Sequence, residues 1–229
     1  MLGQIIRAFG AVVFYLSWLG YANASLVVPA GATVNVPALG LSAGCGEVVV
    51  RGSLSLGTGQ LGVASLFAIE AGGVVVGGSG TITVGGDWSN DGDFTAGTST
   101  VVLDDSCGTT GAALFGETVF HNLILTSKKG NTFVIAAGAS ITVHGTLTLS
   151  GIPESPIRLI SEGGEPVVIR LAQGARLILS DVQVDPSVQI LGGGGGGDPT
   201  PIPAVTPVGV LILILSLVGI AFRYRRYAV

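Results

Sequence analysis

Apolar and polar residues alternate, in short runs, through almost the whole middle of the chain, and glycine punctuates the runs. Thr33-Val34-Asn35-Val36 alternates, as does Gly80-Thr81-Ile82-Thr83-Val84. Val48-Val49-Val50-Arg51-Gly52-Ser53-Leu54-Ser55-Leu56 does so over its second half. Ser140-Ile141-Thr142-Val143-His144-Gly145-Thr146-Leu147-Thr148-Leu149 keeps the pattern for ten residues. Side chains of a strand point to opposite faces in turn, so alternation built from Val, Ile and Thr marks half-buried strands. No stretch between Ser25 and Leu191 carries a helical apolar stripe, and only Ala64 to Glu70 is ambiguous. The body is therefore expected to be all-β.

The strands recur. Ala30-Gly31-Ala32-Thr33-Val34-Asn35-Val36 resembles Ala137-Gly138-Ala139-Ser140-Ile141-Thr142-Val143, and Ala71-Gly72-Gly73-Val74-Val75-Val76 and Gln173-Gly174-Ala175-Arg176-Leu177-Ile178-Leu179 are looser copies. Each is a glycine turn opening a strand. The copies begin 41, 66 and 36 residues apart. These intervals suit coils of about 20 residues with loops of varied length, the mark of a solenoid. A right-handed parallel β-helix is the expected fold. A β-sandwich, with strands and turns at similar spacing, is the alternative. The terminal coils of a solenoid need protection, and Ser25 to Val36, with Pro29 and Pro37 suited to an edge, is the expected cap.

Both ends differ from this body. Arg7 precedes an apolar run from Ala8 to Leu19, and Ala22-Asn23-Ala24 follows as a small-x-small site. This is the layout of a secretory signal peptide, residues 1–24, with cleavage after Ala24 and a mature start at Ser25. At the other end, Gly192 to Gly197 is a run of six glycines followed by Asp198-Pro199-Thr200-Pro201-Ile202-Pro203. An uncharged apolar run then extends to Phe222. Residues 204–222 approach the length that spans a bilayer. Arg223, Arg225 and Arg226 close the run, and such a cluster stays on the cytoplasmic side. The expected organisation is a signal helix (1–24), a β-solenoid body (25–191), a Gly/Pro-rich linker (192–203), a transmembrane helix (204–222) and a basic tail (223–229). The mean hydropathy of +0.71 is that of a membrane protein, but these two terminal segments carry much of it.

The C-terminal layout resembles the PEP-CTERM-type sorting tails of Gram-negative bacteria, and within them the IPTL-CTERM variant. That variant reads Ile-Pro-Thr-Leu-Ser-x-Trp-Gly. Ile202, Pro203 and Gly209 match it, Ala204, Val205 and Thr206 are mild substitutions, and Val208 replaces the tryptophan. The resemblance implies recognition by a membrane sorting or processing enzyme after signal peptidase has acted. A second resemblance lies in the body. Gly85-Gly86-Asp87-Trp88-Ser89-Asn90-Asp91-Gly92-Asp93-Phe94, then Phe120, Asn122 and Leu123, then Gly145, Leu147 and Leu149, resemble repeats of adhesin-like, β-helical bacterial surface proteins. It implies a fold and a surface location.

Catalytic and metal-binding patterns are sparse. The stretch Asp87 to Asp93 spaces oxygens at alternate positions, but without the closing Glu of a calcium loop. Asp104 and Asp105, or Glu162 and Glu165, are the carboxylate pairs to consider for glycoside cleavage, yet neighbours on a strand point to opposite faces. His121 and His144 are single. Neither a nucleophile elbow nor a zinc-protease or phosphate-loop motif is present. No cofactor or metal is expected, and the chain reads as a non-enzyme. Six Lys and Arg stand against 14 Asp and Glu between Ser25 and Pro203, a net charge of −8, which repels nucleic acid.

Two cysteines, Cys45 and Cys107, permit a disulfide in an oxidising compartment. They are 62 residues apart, about three coils, and regular coils would separate them by about 14 Å along the axis. Excursions of their glycine-flanked turns would have to close the gap.

Three functions fit these features. The first is an exported structural or adhesive protein of the cell surface or extracellular matrix. The second is a polysaccharide-binding module, for which Trp88 and Phe94 are the aromatic candidates. The third is a polysaccharide-acting enzyme on a β-helix scaffold.

Overall fold

The computed structural model describes residues 25–192. The expected signal segment, with Ala22 and Ala24, lies outside the described residues. So do the sorting motif, the apolar run and the terminal arginines.

The described residues form a parallel β-solenoid of about eight turns. The first coil holds β1 (Leu26–Val28), β2 (Thr33–Asn35) and β3 (Leu41–Ser42). Next come β4 (Glu47–Val50), β5 (Ser53–Ser55), β6 (Gln60–Ile69), β7 (Val74–Val76), β8 (Thr81–Asn90), β9 (Asp93–Thr95) and β10 (Thr100–Leu103). The second half holds β11 (Gly111–Thr126), β12 (Thr132–Ile135), β13 (Ser140–Ser150), β14 (Ile157–Ser161), β15 (Val167–Leu171), β16 (Arg176–Ser180), β17 (Val182–Val184) and β18 (Val188–Gly192). Strands β6, β8 and β13 are long because each passes from one face of the solenoid round a corner onto the next, and β11 rounds two corners. The ambiguous stretch Ala64 to Glu70 falls in β6 and is extended to Ile69.

Three faces result. Face 1 stacks β1, β4, the end of β6, the end of β8, the start of β11, β12, β14 and β17. Face 2 begins as a four-stranded sheet of β2, β5, β7 and β9. It resumes with the middle of β11, the start of β13, β15 and β18. Face 3 stacks β3, the start of β6, the start of β8, β10, the end of β11, the end of β13 and β16. Every one of these pairings is parallel. The advance per coil varies from 19 residues (Glu47 to Leu66) to 30 (Leu147 to Leu177), because loops at the corners absorb the difference.

The four repeat glycines Gly31, Gly72, Gly138 and Gly174 have φ of 77°, 83°, 77° and 82°. A Cβ on any of them would meet nothing within 4 Å. The left-handed backbone, and not crowding, explains glycine at these four corners. The first three open strands of face 2, but Gly174 opens β16 on face 3. One turn motif thus serves two corners. This accounts for the irregular intervals: 41 and 66 residues are two and three coils, and 36 is one coil and one extra side.

The core is the filled axis of the coil. Val48, Phe67, Trp88, Leu114 and Ile135 form one inward row on face 1. Leu61, Ile82, Val101, Leu123 and Leu147 form another on face 3. All ten are at most 1% exposed. Burying such side chains contributes about 1.5–3 kcal/mol each before the entropy of ordering is set against it.

Ser25 to Val36 is not a separate cap. It is the first coil itself, with β1 paired to β4 and β2 paired to β5. Short strands of three, three and two residues keep its outer edge small.

Candidate functional site

The tryptophan motif turns inward. Trp88 is fully buried and Phe94 is partly buried against it, which corrects the expectation that both stand exposed to stack on sugars. Trp88 stacks on Phe67 at 4.9 Å between ring centroids and meets Phe94 at 5.2 Å edge-on and Phe120 at 5.3 Å tilted. Its Nε1 donates to Thr118 Oγ1 at 3.1 Å. This cluster sits where the face 2 sheet is interrupted between β9 and β11. The buried Asn90 bridges the break, donating from Nδ2 to the Glu117 carbonyl at 2.7 Å and to Thr118 Oγ1 at 3.2 Å. Asp87 Oδ1 accepts from Ala113 N at 2.7 Å, and Asn90 Oδ1 accepts from Gly92 N at 3.2 Å. Asn122 accepts from Thr146 N at 3.0 Å and donates to Thr100 Oγ1 at 3.3 Å. The motif residues thus stitch successive coils together. Their hydrogen-bonding groups are engaged in these bonds within the fold.

Three of the four carboxylates considered for catalysis are also engaged, and Glu165 is exposed. Asp104 Oδ1 accepts from Ser106 N at 3.0 Å and from Ser106 Oγ. Asp105 Oδ2 accepts from Ser127 Oγ and Lys128 N, both at 3.0 Å. Partial burial raises the Asp105 pKa, but those two hydrogen bonds and the nearby Lys129 charge outweigh it and hold the carboxyl below the usual range. Glu162 begins a 3₁₀ turn (Glu162–Gly164) and accepts from Ala137 N at 3.0 Å through Oε2. These groups lock corner loops. Asp185 does the same, its pKa lowered by hydrogen bonds from the Ser187 hydroxyl and amide. Among the described residues, no three His, Cys, Asp or Glu side chains converge to hold a metal ion. His121 and His144 fall at one corner of adjacent coils, after Phe120 and Val143, which pair.

Cys45 and Cys107 are joined in a disulfide, with Cα atoms 5.5 Å apart. The expected separation of about 14 Å is bridged. Cys45, at the corner between β3 and β4, adopts a left-handed φ of 63° after Gly44 at 55°. Cys107 lies in the longer connection between β10 and β11, which folds back over Gly85. A Cβ at Gly85 would lie 2.7 Å from both Cys107 N and Sγ. Thr109 Oγ1 donates to the Gly85 carbonyl at 2.8 Å and fastens the loop there.

One surface is organised and only partly used by the fold, through the bonds of Asn122 to Thr100 and Thr146. On face 3, Gln60, Thr81, Thr100, Asn122 and Thr146 stack as one outward row. Thr83, Val102, Ile124 and Thr148 stack as a second. Thr126 and Ser150 begin a third. From Gln60 through Ser150 no strand segment on this face carries a charged residue, over five coils. Over the same coils face 1 carries Asp87 and face 2 carries Asp93 and Glu117, and beyond Ser150 the outward row of face 3 continues from Thr146 to Arg176. Neighbours along a row are about 4.8 Å apart, and residues two apart on a strand about 6.6 Å. Threonine is stiff at χ1, so the hydroxyls and methyls form a fixed lattice. The alternation in Thr81-Ile82-Thr83 and Thr146-Leu147-Thr148 signals an outward threonine pair, but only the register shows that the two pairs share one face.

No protein-family model matches this chain, and no curated protein or solved structure matches it either.

Proposed function

We propose that this chain is an exported structural or adhesive protein of the cell surface or extracellular matrix. In this reading signal peptidase removes residues 1–24. Residues 204–222 hold the body outside the cytoplasmic membrane until a sorting enzyme acts at the IPTL-like segment. The observation that carries the proposal is the Cys45–Cys107 disulfide. A cross-link over 62 residues belongs to an oxidising compartment, so it supports export independently of the terminal segments. The stacked body supports a structural role, since its polar motif residues are consumed in joining coils. The coil is taken as right-handed, the hand that parallel crossover connections adopt.

Among the described residues no helix is long and apolar enough to cross a membrane, and residues 204–222 lie outside that set. Cell fractionation tests the proposal. The chain is expected in the envelope fraction, and deleting 204–229 is expected to release the body from it. Recovery of the intact chain from the cytosol would overturn the reading.

A polysaccharide-binding role is the second reading, favoured by the uncharged threonine face. Trp88 and Phe94 take no part in it.

A further inference from the structure

We infer that face 3 binds a neutral polysaccharide lying along the solenoid axis, with Thr81, Thr83, Thr146 and Thr148 as its contact residues. The inference rests on the surface or matrix location proposed above and names the ligand that such a protein would hold.

Charge selects the class of ligand. The body from Ser25 to Pro203 carries a net charge of −8, and that field repels acidic polymers. A cationic polymer would find its partners on faces 1 and 2 and at the corners, where the carboxylates lie. Face 3 offers none from Gln60 through Ser150. A strip without charge inside an acidic body suits a neutral ligand, whose binding strips no ion of its water.

Chemistry and spacing select the polymer. Threonine presents a hydroxyl beside a methyl, and a sugar ring presents hydroxyl edges beside C–H faces. Val102 and Ile124, between Thr83 and Thr148 in their row, add apolar contact for the ring faces. The repeat of about 4.8 Å between coils is of the same order as one sugar unit in an extended chain. Successive sugars would then meet successive coils. The backbone beneath is already paired on both sides, so the lattice is held rigid and little order is lost on binding.

A second copy of the chain fits this face poorly. Interface cores are apolar, with few small hydroxyl side chains, and the rows here consist largely of Thr, Asn, Gln and Ser. Of the exposed large apolar residues, Val27, Leu39, Val76, Phe115 and Val119 lie off this face, and Leu41, Ile178 and Leu179 lie at its two ends, outside the strip from Gln60 to Ser150.

Affinity electrophoresis of the detergent-solubilised full chain tests the inference, with four polymers cast separately in the gel: hydroxyethyl cellulose, a β-1,3-glucan, a mannan and alginate. At least one neutral polymer is expected to retard the chain, and alginate is not. Thr83→Lys and Thr148→Lys should each weaken that retardation about tenfold, by losing a hydrogen bond and forcing an ammonium against the sugar. Thr95→Lys, exposed on face 2, should leave it unchanged. Circular dichroism of all three variants should match the parent. No retardation by any neutral polymer, or retardation that survives both face 3 substitutions, would overturn the inference. So would light scattering that shows a dimer lost in Thr83→Lys, because the occupant would then be a second copy. Fractionation is scored separately, so a mislocalised chain that still binds glucan would count against the location alone.

Discussion

Cys45 and Cys107 are 62 residues apart in the chain and three coils apart in the stack, yet their Cα atoms lie 5.5 Å from one another. The bond ties the corner between β3 and β4 to the corner between β10 and β11. It closes a loop that contains three coils of chain, so it restricts the unfolded chain strongly. By the loop-entropy relation a closed loop of this size is worth about 4 kcal/mol. Cys45→Ala/Cys107→Ala should lose stability on that scale. Urea denaturation of the double variant against the parent measures it, with the parent reduced and unreduced as the paired control.

Gly85 should be the residue on which formation of that bond depends. A side chain there would collide with Cys107 N and Sγ and lift the loop away from Cys45. Gly85→Val should therefore leave both thiols free in chain folded under oxidising conditions. Thiol titration of the denatured protein reads this directly, with close to two free thiols expected in the variant and none in the parent.

Trp88 should matter for stability. Its ring contacts Phe67, Phe94 and Phe120, so Trp88→Ala opens a cavity at the break in face 2 and should cost about 3–5 kcal/mol. Thr118→Val removes the acceptor for Trp88 Nε1 and for Asn90 Nδ2 and should cost about 1–3 kcal/mol. Equilibrium unfolding followed by far-ultraviolet circular dichroism would check both.

Asp105 gives a pH dependence. Its carboxyl titrates lower in the folded chain than in the unfolded one. The stabilisation it supplies is thus complete above the unfolded value of about 3.9 and is lost as pH falls through the lower folded value. Asp105→Asn should unfold at lower temperature than the parent at pH 7, by less than about 1 kcal/mol given its partial exposure. The gap should close as both are acidified towards pH 2. Thermal melts of the pair across that range would show it.

The fold was largely legible because its cause is local. Alternation in Thr81 to Val84 or Ser140 to Val143 reports which side chains enter the axis, and the repeat glycines report the corners. The coil boundaries were harder to read, since the Gly174 turn opens a strand on a different face from Gly31, Gly72 and Gly138. The candidate site was less legible. Trp88 and Phe94 sit among Asp, Asn and Gly, a polar setting that suggests a surface loop. In the fold those polar neighbours are the hydrogen-bonding staples of a buried aromatic cluster. The approach of the two cysteines depends on a left-handed turn at Gly44 and Cys45 and a loop laid over Gly85, and neither has a signature in spacing. The threonine lattice of face 3 exists only through register, which brings together residues as far apart as Thr81 and Thr148.

Mass spectrometry of the chain from envelope and cytosolic fractions, digested without reduction, tests the central account of an exported solenoid held by a covalent clasp. The expected result is an envelope protein that begins at Ser25 and yields one linked peptide pair containing Cys45 and Cys107. A cytosolic chain that retains residues 1–24 and carries both cysteines as free thiols would contradict it.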